Sequence, residues 1–401
     1  MKSALVIGSG PAGWLAAGTC AQEGYQTTLV APDPRAPFTP TYCSWLDDVP
    51  LPYREVMAQV WPFVELYTGN ERPALDVRRE YALFDNGGLA ELLHRRADAV
   101  EVLAGTIDRL HEDSGKSYAV GTVGNAAFER GFDLVIDASG RPGRFAANGP
   151  QDVLTAQTAL GVFLRPPPGQ TRPPPVLMDF RGAEDDLVPT FGYLLPMPDG
   201  TLLVEETVLA GRPPVPPEDL REALERRLTS YRVQDWEVVR TERVFIPMGG
   251  PHPEPDARAV TFGGAAGMGH PATGYLVAPV LRSEGRLRKG LRDSRTASTS
   301  AQRIESVRAA LWTRRIRATR RLHLQGLELL LDMDRRRMGG FFSSFFAAPR
   351  WCWTGYLRTD SHPWRVMGAM SATFLLLSRR DRPWLRAAYA RVVTTPSLLD
   401  G

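Results

Sequence analysis

The sequence contains only three cysteines, Cys20, Cys43 and Cys352, among its 401 residues. Their number is odd and none forms a C-x-x-C pair, so neither a disulfide framework nor a zinc site is indicated. No other group of histidines, cysteines and acids has metal-ligand spacing, and we expect no metal. A Gly-x-Ser-x-Gly elbow is also absent, which argues against a serine hydrolase.

No run of 18 consecutive apolar residues occurs, so the sequence predicts no membrane-spanning helix. The first apolar stretch leads into a glycine turn and not a cleavage site, and we expect a cytoplasmic protein.

The net charge is only +3, yet thirteen Lys and Arg residues lie between Arg282 and Arg321. This basic block predicts either an anionic partner surface, such as lipid head groups, or solvated helix faces. Because no recognition motif accompanies it, nucleic acid is not expected as a partner.

The first thirty residues have the pattern of a nucleotide-binding βαβ unit. An apolar run at 4–7 predicts a buried strand, and 14–23 predicts a helix before a second strand at 26–31. The turn between the first strand and the helix carries a G-x-G-x-x-G motif that includes Gly8, Gly10, Pro11, Ala12 and Gly13. These glycines permit a tight turn, a close approach of pyrophosphate and close helix–strand packing, so we predict a dinucleotide here.

Further residues of the nucleotide site follow three later strands. In such units an acid at the end of the second strand normally binds the ribose. Ala31 occupies that position here. Asp33, two residues later, is therefore either a displaced ribose-binding acid or a plain turn residue. Strands at 133–137 and 259–263 lead into small-residue turns that resemble those of glutathione-reductase-type and hydroxylase-type flavoproteins, which implies FAD. The candidates they add are Asp137, Gly140, Gly263, Gly264, Ala266, Gly267 and Met268. Gly264 stands where those enzymes commonly carry an acid.

A series of motifs resembles the lycopene cyclases of plants and cyanobacteria. The stretch 263–275, GGAAGMGHPATGY, is similar to the "GG-AGM-HP-TGY" signature of that family. In the same order, the chain has segments similar to "N-Y-G-W" at 40–45, "QTA-G" at 157–162, "MDWR" at 178–181, "PTFLYAMP" at 189–197, "FLEET" at 203–207 and "IPMGG" at 246–250. The chain is identified as a member of this family over about residues 4–345, with departures at Cys43 and Gly269.

The resemblance implies a flavoenzyme that catalyses no net redox change. Such enzymes hold reduced FAD, use NAD(P)H only as its reductant, protonate a membrane-dissolved polyene, by default lycopene, and close a ring through a carbocation. The expected fold is α/β, with a Rossmann-type, hydroxylase-like FAD domain, an inserted mixed β-sheet substrate domain and a helical C-terminal region. The predicted boundaries are 1–85, 128–160 and 245–300 for the FAD domain, 86–127 for a connecting segment, 161–244 for the substrate domain and 301–401 for the helical cap.

Protonation of an alkene requires a strong acid in a dry pocket, and Glu205 and Glu206 of the "FLEET"-like segment are the candidates. Adjacent residues of a strand face opposite ways, so at most one of them points into the pocket. The family motif favours Glu205 as the general acid and base, with Glu206 as support or fallback; a structural carboxylate pair on a sheet edge is the alternative. Aromatic faces would stabilise the cation. By motif position, the substrate-site candidates are Tyr42, Trp45, Asp179, Phe191, Tyr193, His270 and Tyr275.

Alternatives to lycopene cyclisation stay open at this point. The same fold could cyclise another prenylated product, serve a redox flavoenzyme such as a monooxygenase or prenyl reductase, or belong to a membrane-associated carrier that keeps FAD structurally. The C-terminal segment mixes apolar clusters at 329–331, 341–346 and 374–377 with arginines. This mixture predicts either the core of a helical cap or a surface on the inner face of the membrane.

Overall fold

The computed structural model of the protein describes residues 1–69, 73–145, 155–182, 188–250 and 258–394. Its strands are β1 (Ser3–Ile7), β2 (Gln26–Ala31), β3 (Cys43–Trp45), β4 (Met57–Trp61), β5 (Val64–Tyr67), β6 (Leu75–Val77), β7 (Tyr81–Phe84), β8 (Glu101–Asp113), β9 (Lys116–Val123), β10 (Ala126–Phe132), β11 (Leu134–Asp137), β12 (Ala156–Arg165), β13 (Val176–Asp179), β14 (Thr190–Pro196), β15 (Leu202–Gly211), β16 (Glu237–Pro247) and β17 (Val260–Thr261). Its α-helices are α1 (Pro11–Gln22), α2 (Asn86–Arg95), α3 (Arg221–Ser230), α4 (Val277–Arg282), α5 (Glu284–Asp293), α6 (Ser300–Leu311), α7 (Arg314–Leu331), α8 (Arg335–Ala347), α9 (Arg350–Tyr356), α10 (Pro363–Leu376) and α11 (Arg382–Thr394).

The first sheet contains seven strands in the order β10-β9-β8-β2-β1-β11-β17. Strand β1 lies between β2 and β11 and is parallel to both. Because the carboxyl ends of parallel strands open onto one edge of a sheet, the turns after β1, β11 and β17 meet there. Strands β8 and β9 continue this sheet, so part of the segment predicted as a connection, 101–123, lies in the same layer as the βαβ unit.

The second sheet is mixed and has the order β16-β12-β15-β14-β13-β5-β6. One face is covered by α3, where Leu160 and Val204 share a core with Leu224. The other face, which includes Phe191 and Leu203, belongs to a larger core that it shares with a small third sheet (β3-β7-β4) and with the C-terminal helices. The two faces therefore have different neighbours, and side chains that alternate along a strand enter different environments.

The basic block between Arg282 and Arg321 lies on helices α4 to α7. Much of its charge meets acids elsewhere in the chain: Glu23, at the end of α1, accepts hydrogen bonds from Arg288 at 2.7 Å and from Arg292 at 2.8 Å. These pairs tie α5 to the βαβ unit and leave less charge for an external partner. In the described part of the chain, no helix combines the length and apolar character needed to cross a bilayer.

Candidate active site

The turn after β1 forms a cradle at the amino end of α1. Gly8 has a φ of +105°, which favours glycine, and a Cβ there would lie 2.5 Å from the carbonyl oxygen of Ala138. Gly10 is the opposite case, because a Cβ there would meet nothing within 4 Å. Helix α1 begins at Pro11, and its first turn carries no acidic side chain. The open space over Gly10 and the positive end of the helix fit a pyrophosphate group.

The turns after β11 and β17 lie beside this cradle. A Cβ on Gly263 would lie 2.5 Å from the Cβ of Ala12, and a Cβ on Gly264 would lie 3.3 Å from the Cα of Gly140. The three turns therefore approach one another with almost no side chains between them. This is the backbone-lined space that a dinucleotide with a flavin ring requires, and the residues present fit FAD.

Asp137, at the end of β11, is fully buried beside these turns. Its Oδ1 accepts a hydrogen bond from the backbone N–H of Ser139 at 3.0 Å, whereas its Oδ2 has no partner among the described residues. Burial raises the pKa of Asp137, and the bonds from Ser139 oppose that shift. A buried carboxyl oxygen without a partner is an available acceptor for a ligand hydroxyl.

The remaining predicted cofactor residues occupy different positions. Asp33 is exposed, two residues beyond the end of β2. Ala266 is buried in the core of the first sheet, and Gly267 ends the short turn with a φ of +58°. The sulfur of Met268 accepts a hydrogen bond from the backbone N–H of Gly263 at 3.4 Å. Met268 thus braces the second glycine-rich loop from within.

Glu205 lies in a cross-strand row of the second sheet with Glu242 on β16, Gly161 on β12 and Tyr193 on β14. Its side chain passes over Gly161, where a Cβ would lie 2.5 Å from the Glu205 Cγ. The residue is only 7% exposed, and within the described residues its carboxyl group has no hydrogen-bond partner. Burial, and then the charge of Glu242, raise the pKa of Glu205 to about 8, so this carboxyl group is protonated at neutral pH.

Glu206 points to the opposite face of β15, under α3. Its carboxylate accepts hydrogen bonds from Arg227 Nε at 2.8 Å and from Arg227 Nη2 at 3.1 Å. Asp179 lies on the same face, where it accepts hydrogen bonds from the Tyr231 hydroxyl at 2.6 Å and from Arg181 Nη2 at 2.7 Å. Both acids belong to one buried charged network, which is separated by the sheet from the row described above.

A cluster of aromatic rings adjoins the row that contains the protonated acid. The Tyr193 hydroxyl lies 3.1 Å from the Tyr81 hydroxyl, which also accepts a hydrogen bond from Tyr275 at 3.3 Å. The rings of Trp45 and Trp61 have centroids 5.1 Å and 6.3 Å from that of Tyr81. Tyr275 follows the second glycine-rich loop, so the cluster connects the nucleotide cradle to the second sheet. Aromatic faces carry negative potential, which favours a cation.

The predicted substrate residue Tyr42 and its neighbour Cys43, where the chain departs from the family motif, lie near this cluster. The Cys43 thiol interacts with the hydroxyls of Tyr193 and Tyr81, and burial raises the pKa of Cys43 to about 12. Burial, together with the charge of Glu242, also raises the pKa of Tyr42 to about 12. Both groups therefore stay neutral at physiological pH.

Phe191 and His270 serve the packing around the cluster. Phe191 is buried two residues before Tyr193 on β14, and its ring centroid lies 5.6 Å from that of Phe180. His270 Nε2 lies 2.9 Å from the Tyr356 carbonyl oxygen, and its Nδ1 accepts the backbone N–H of Ala272 at 3.2 Å. Burial lowers the pKa of His270 to about 4, so a neutral imidazole holds the loop 269–275 against α9.

Sequence reasoning missed Glu242 and Tyr81. Glu242 follows a run of exposed residues on β16, and nothing in its local sequence relates it to Glu205. One usable signal was Gly161 inside an otherwise apolar strand, because an interior glycine often marks a site where another group approaches closely. Tyr81 sits in a short apolar strand without a motif, so its position depended on knowing how the third sheet packs.

Comparisons with known proteins identify the family. The family model described as "Lycopene cyclase protein" matches residues 4–379. The chain belongs to the lycopene cyclase family. This family member is 33% identical to an uncharacterized carotenoid cyclase of Deinococcus radiodurans, over 96% of this chain and 93% of that protein. It is 32% identical to a lycopene beta cyclase of Synechococcus elongatus, over 89% of each protein.

Solved structures share the fold of this lycopene cyclase family member at lower identity. A geranylgeranyl bacteriochlorophyll reductase-like protein of Thermoplasma acidophilum matches with a TM-score of 0.69 and 15% identity, over 98% of this chain and 99% of that one. A flavin-dependent brominase matches with a TM-score of 0.57 and 13% identity, over 97% and 98% of the two chains. The predicted family and the predicted α/β flavoprotein fold class are confirmed.

Proposed function

We propose that the protein is an FAD-dependent cyclase that protonates an end group of lycopene and closes a ring through a carbocation, without net redox change. The observation that carries this proposal is Glu205, a buried carboxyl group with a pKa raised to about 8, next to an aromatic cluster. The relatives named as carotenoid and lycopene beta cyclases support the choice of substrate.

The reaction begins when Glu205 donates its proton to the terminal double bond of the polyene. A C–H bond forms, and the tertiary cation that results is attacked by an internal double bond, which closes the six-membered ring. Loss of a proton from the ring cation leaves a neutral product with the same composition as the substrate. A dry, buried site keeps Glu205 in its acid form until the substrate binds, because desolvation destabilises its carboxylate form.

The described aromatic and thiol side chains around the acid are suited to a cation because burial keeps them neutral. Burial is the main cause that raises the pKa values of Tyr81, Tyr193 and Tyr275, so all three remain neutral phenols. The thiol of Cys43 likewise stays protonated. Neutral aromatic rings therefore face the cation, and no phenolate or thiolate is available to trap it.

The residues that would hold FAD are those of the three glycine-rich turns. The pyrophosphate would lie over Gly10 at the start of α1, and the unpartnered Asp137 oxygen would accept a hydroxyl group of the cofactor. Reduced flavin, when bound, supplies electron density that stabilises a nearby positive charge, and NAD(P)H serves only to reduce it.

We also propose a peripheral contact with the inner face of the membrane through an apolar patch on α9 and α10. The patch consists of the exposed side chains Trp351, Trp364, Met367, Leu375 and Leu376. Exposed arginines lie on the same helices or in the segment that follows them, at positions 350, 365, 379, 380 and 386. Tryptophans suit the lipid interface and arginines suit anionic head groups, so the patch would give a membrane-dissolved polyene a route to the protein.

Cyclisation of a different prenylated compound is the second candidate. Cys43 stands where the similar family segment has glycine, and its side chain contacts the hydroxyls of Tyr81 and Tyr193. A larger side chain in the aromatic cluster changes the shape available to the substrate. Unreacted lycopene, together with turnover of another prenylated compound that depends on Glu205, would favour this candidate.

The direct test of the proposed acid measures the turnover of lycopene in liposomes, with reduced FAD, by the natural chain and by Glu205→Gln. We expect a cyclic carotene from the natural chain and at least about 100-fold slower turnover from the variant, since the amide cannot donate the proton. Bound flavin should be equal in the two proteins. Unchanged turnover by a Glu205→Gln protein that retains flavin would contradict the assignment.

A further inference from the structure

A second buried acid, Glu242, lies across Gly161 from Glu205 and is not used by the mechanism above. Its Oε1 accepts the backbone N–H of Thr41 at 2.7 Å, and its Oε2 accepts the Thr41 hydroxyl at 2.5 Å. Glu242 is only 9% exposed. No Lys, Arg or His among the described residues forms an ion pair with it. Among the described residues, Thr41 alone therefore holds its carboxylate by hydrogen bonds.

We propose that Glu242 is a positioning residue, an ionised carboxylate that keeps the proton on Glu205. Two buried carboxyl groups on one face of a sheet do not both ionise readily, because like charges repel strongly in a medium of low dielectric constant. The inference rests on the proposed function only for its effect on turnover, since the position of the proton can be measured without substrate.

The hydrogen bonds determine which of the two acids is ionised. Glu242 receives one bond on each carboxylate oxygen, and bonds to a charged form favour that form. Glu205 receives none from the described residues, so it gains nothing comparable when it ionises. The proton is therefore expected on Glu205, the group that faces the aromatic cluster.

The other titratable groups around the pair do not supply a competing charge. Burial keeps the side chains of Tyr42, Cys43 and Tyr193, on the segments packed against the row, in their neutral forms. Arg240 lies two residues before Glu242 on β16, and its guanidinium stacks 3.8 Å from the centroid of the Phe163 ring, in the next row. Glu242 is thus the charge that faces Glu205 most directly.

Thr41 connects this pair to the loop that builds the substrate side of the site. It directly precedes Tyr42 and Cys43, so a movement of this loop would also move both donors that hold Glu242. The geometry therefore makes the proton affinity of Glu205 dependent on the position of a loop in contact with the aromatic cluster.

The test is an infrared titration of the protonated carboxyl band in the FAD-loaded full chain, without substrate. We expect a band that disappears in Glu205→Gln, that titrates at a pH of about 8 in the natural chain and that titrates at least about one pH unit lower in Glu242→Gln. The alkaline limb of the pH–rate profile, where activity falls as Glu205 loses its proton, should shift to lower pH by the same amount. A role in packing alone would lower turnover without moving this limb.

Glu237→Gln is the matched control, because Glu237 lies on the same strand and forms only an exposed ion pair with Arg165. It should leave the titration unchanged. Thr41→Val removes one of the two donors that favour the ionised form of Glu242, so part of the proton should move from Glu205 to Glu242 and the Glu205 carboxyl band should weaken. This provides a second test if Glu242→Gln does not fold.

Two results would overturn the inference. One is an unchanged titration of Glu205 in a folded Glu242→Gln protein, and the other is a protonated band that disappears in Glu242→Gln but persists in Glu205→Gln. If lycopene is not cyclised while the titration shifts as expected, the proposed substrate is wrong and the role of Glu242 stands.

Discussion

Glu205 and Glu206 are adjacent in sequence but have opposite environments. Glu205 lies over Gly161 on the face next to the aromatic cluster and has no hydrogen-bond partner among the described residues. Glu206 is 1% exposed and is bound by two nitrogens of Arg227. The alternation of a strand therefore separates one group suited to hold a proton from one suited to hold a charge.

Replacement of Glu206 tests whether its ion pair with Arg227 has a structural role. Glu206→Gln removes the carboxylate that is hydrogen-bonded to the buried Arg227 guanidinium, and we expect a loss of about 3 kcal/mol in the free energy of unfolding. Urea denaturation measures this loss, with the exposed Glu237→Gln as a control that should change stability by less than about 1 kcal/mol. Equal stability of the two variants would contradict a structural role for the Glu206 pair.

At the scale of elements, sequence patterns predicted the strands of the nucleotide unit but not how the strands of the second sheet pair. The predicted strands at 4–7, 26–31 and 133–137 correspond to β1, β2 and β11, and the glycine motif lies between β1 and α1 as expected. Glu242 could not be placed, because the register between β12 and β16 joins residues about eighty positions apart. A change of one residue in register would move its side chain to the other face.

Two glycines of the second sheet give a matched pair of variants. A Cβ in Gly161→Ala would lie 2.5 Å from Glu205 Cγ, whereas one in Gly192→Ala would lie 2.8 Å from the Tyr231 hydroxyl on the other face. We expect Gly161→Ala to lower turnover by about 100-fold through displacement of the acid. Gly192→Ala should mainly lower the free energy of unfolding, by about 1–3 kcal/mol. Turnover and urea unfolding of both proteins check this, and equal turnover would contradict it.

Gly10→Ala tests the proposed position of the pyrophosphate at the start of α1. A Cβ in Gly10→Ala meets no protein atom within 4 Å and needs no unusual φ, so the stability of the flavin-free protein should not change. The added Cβ would occupy the space proposed for the pyrophosphate. A flavin fluorescence titration should therefore show at least about tenfold weaker binding of FAD. Gly340→Ala, in α8, also meets nothing within 4 Å and is the control. Equal affinity of both variants for FAD would contradict the proposed position.

At the scale of the whole molecule, the fold brings together segments that are far apart in the sequence. The loop after β17 supplies Tyr275, the third sheet supplies Tyr81, and the second sheet supplies Glu205. The motifs predicted the first and last of these, because each lies in a recognisable segment. The sequence could not predict Tyr81, since its contribution depends entirely on how the third sheet packs against the second.

The proposed membrane contact is also a property of the whole molecule. Trp364 is 55% exposed and its ring centroid lies 5.8 Å from that of Trp351, so Trp351→Ser with Trp364→Ser removes the aromatic part of the patch. We expect at least about tenfold weaker sedimentation with vesicles of anionic lipid. Leu51→Ser, which replaces an exposed residue outside the patch, is the control. Equal vesicle binding by the double variant and the control would exclude this patch as the contact.

Proton-initiated cyclisation without net redox change is tested most directly by an anaerobic reaction in D2O, with photoreduced FAD and lycopene in liposomes. Because Glu205 exchanges its proton with solvent and then donates it to carbon, we predict one deuterium in the product for each ring formed, with the flavin still reduced. A product that has gained two hydrogen or deuterium atoms, formed together with an equivalent amount of oxidised flavin, would contradict the account.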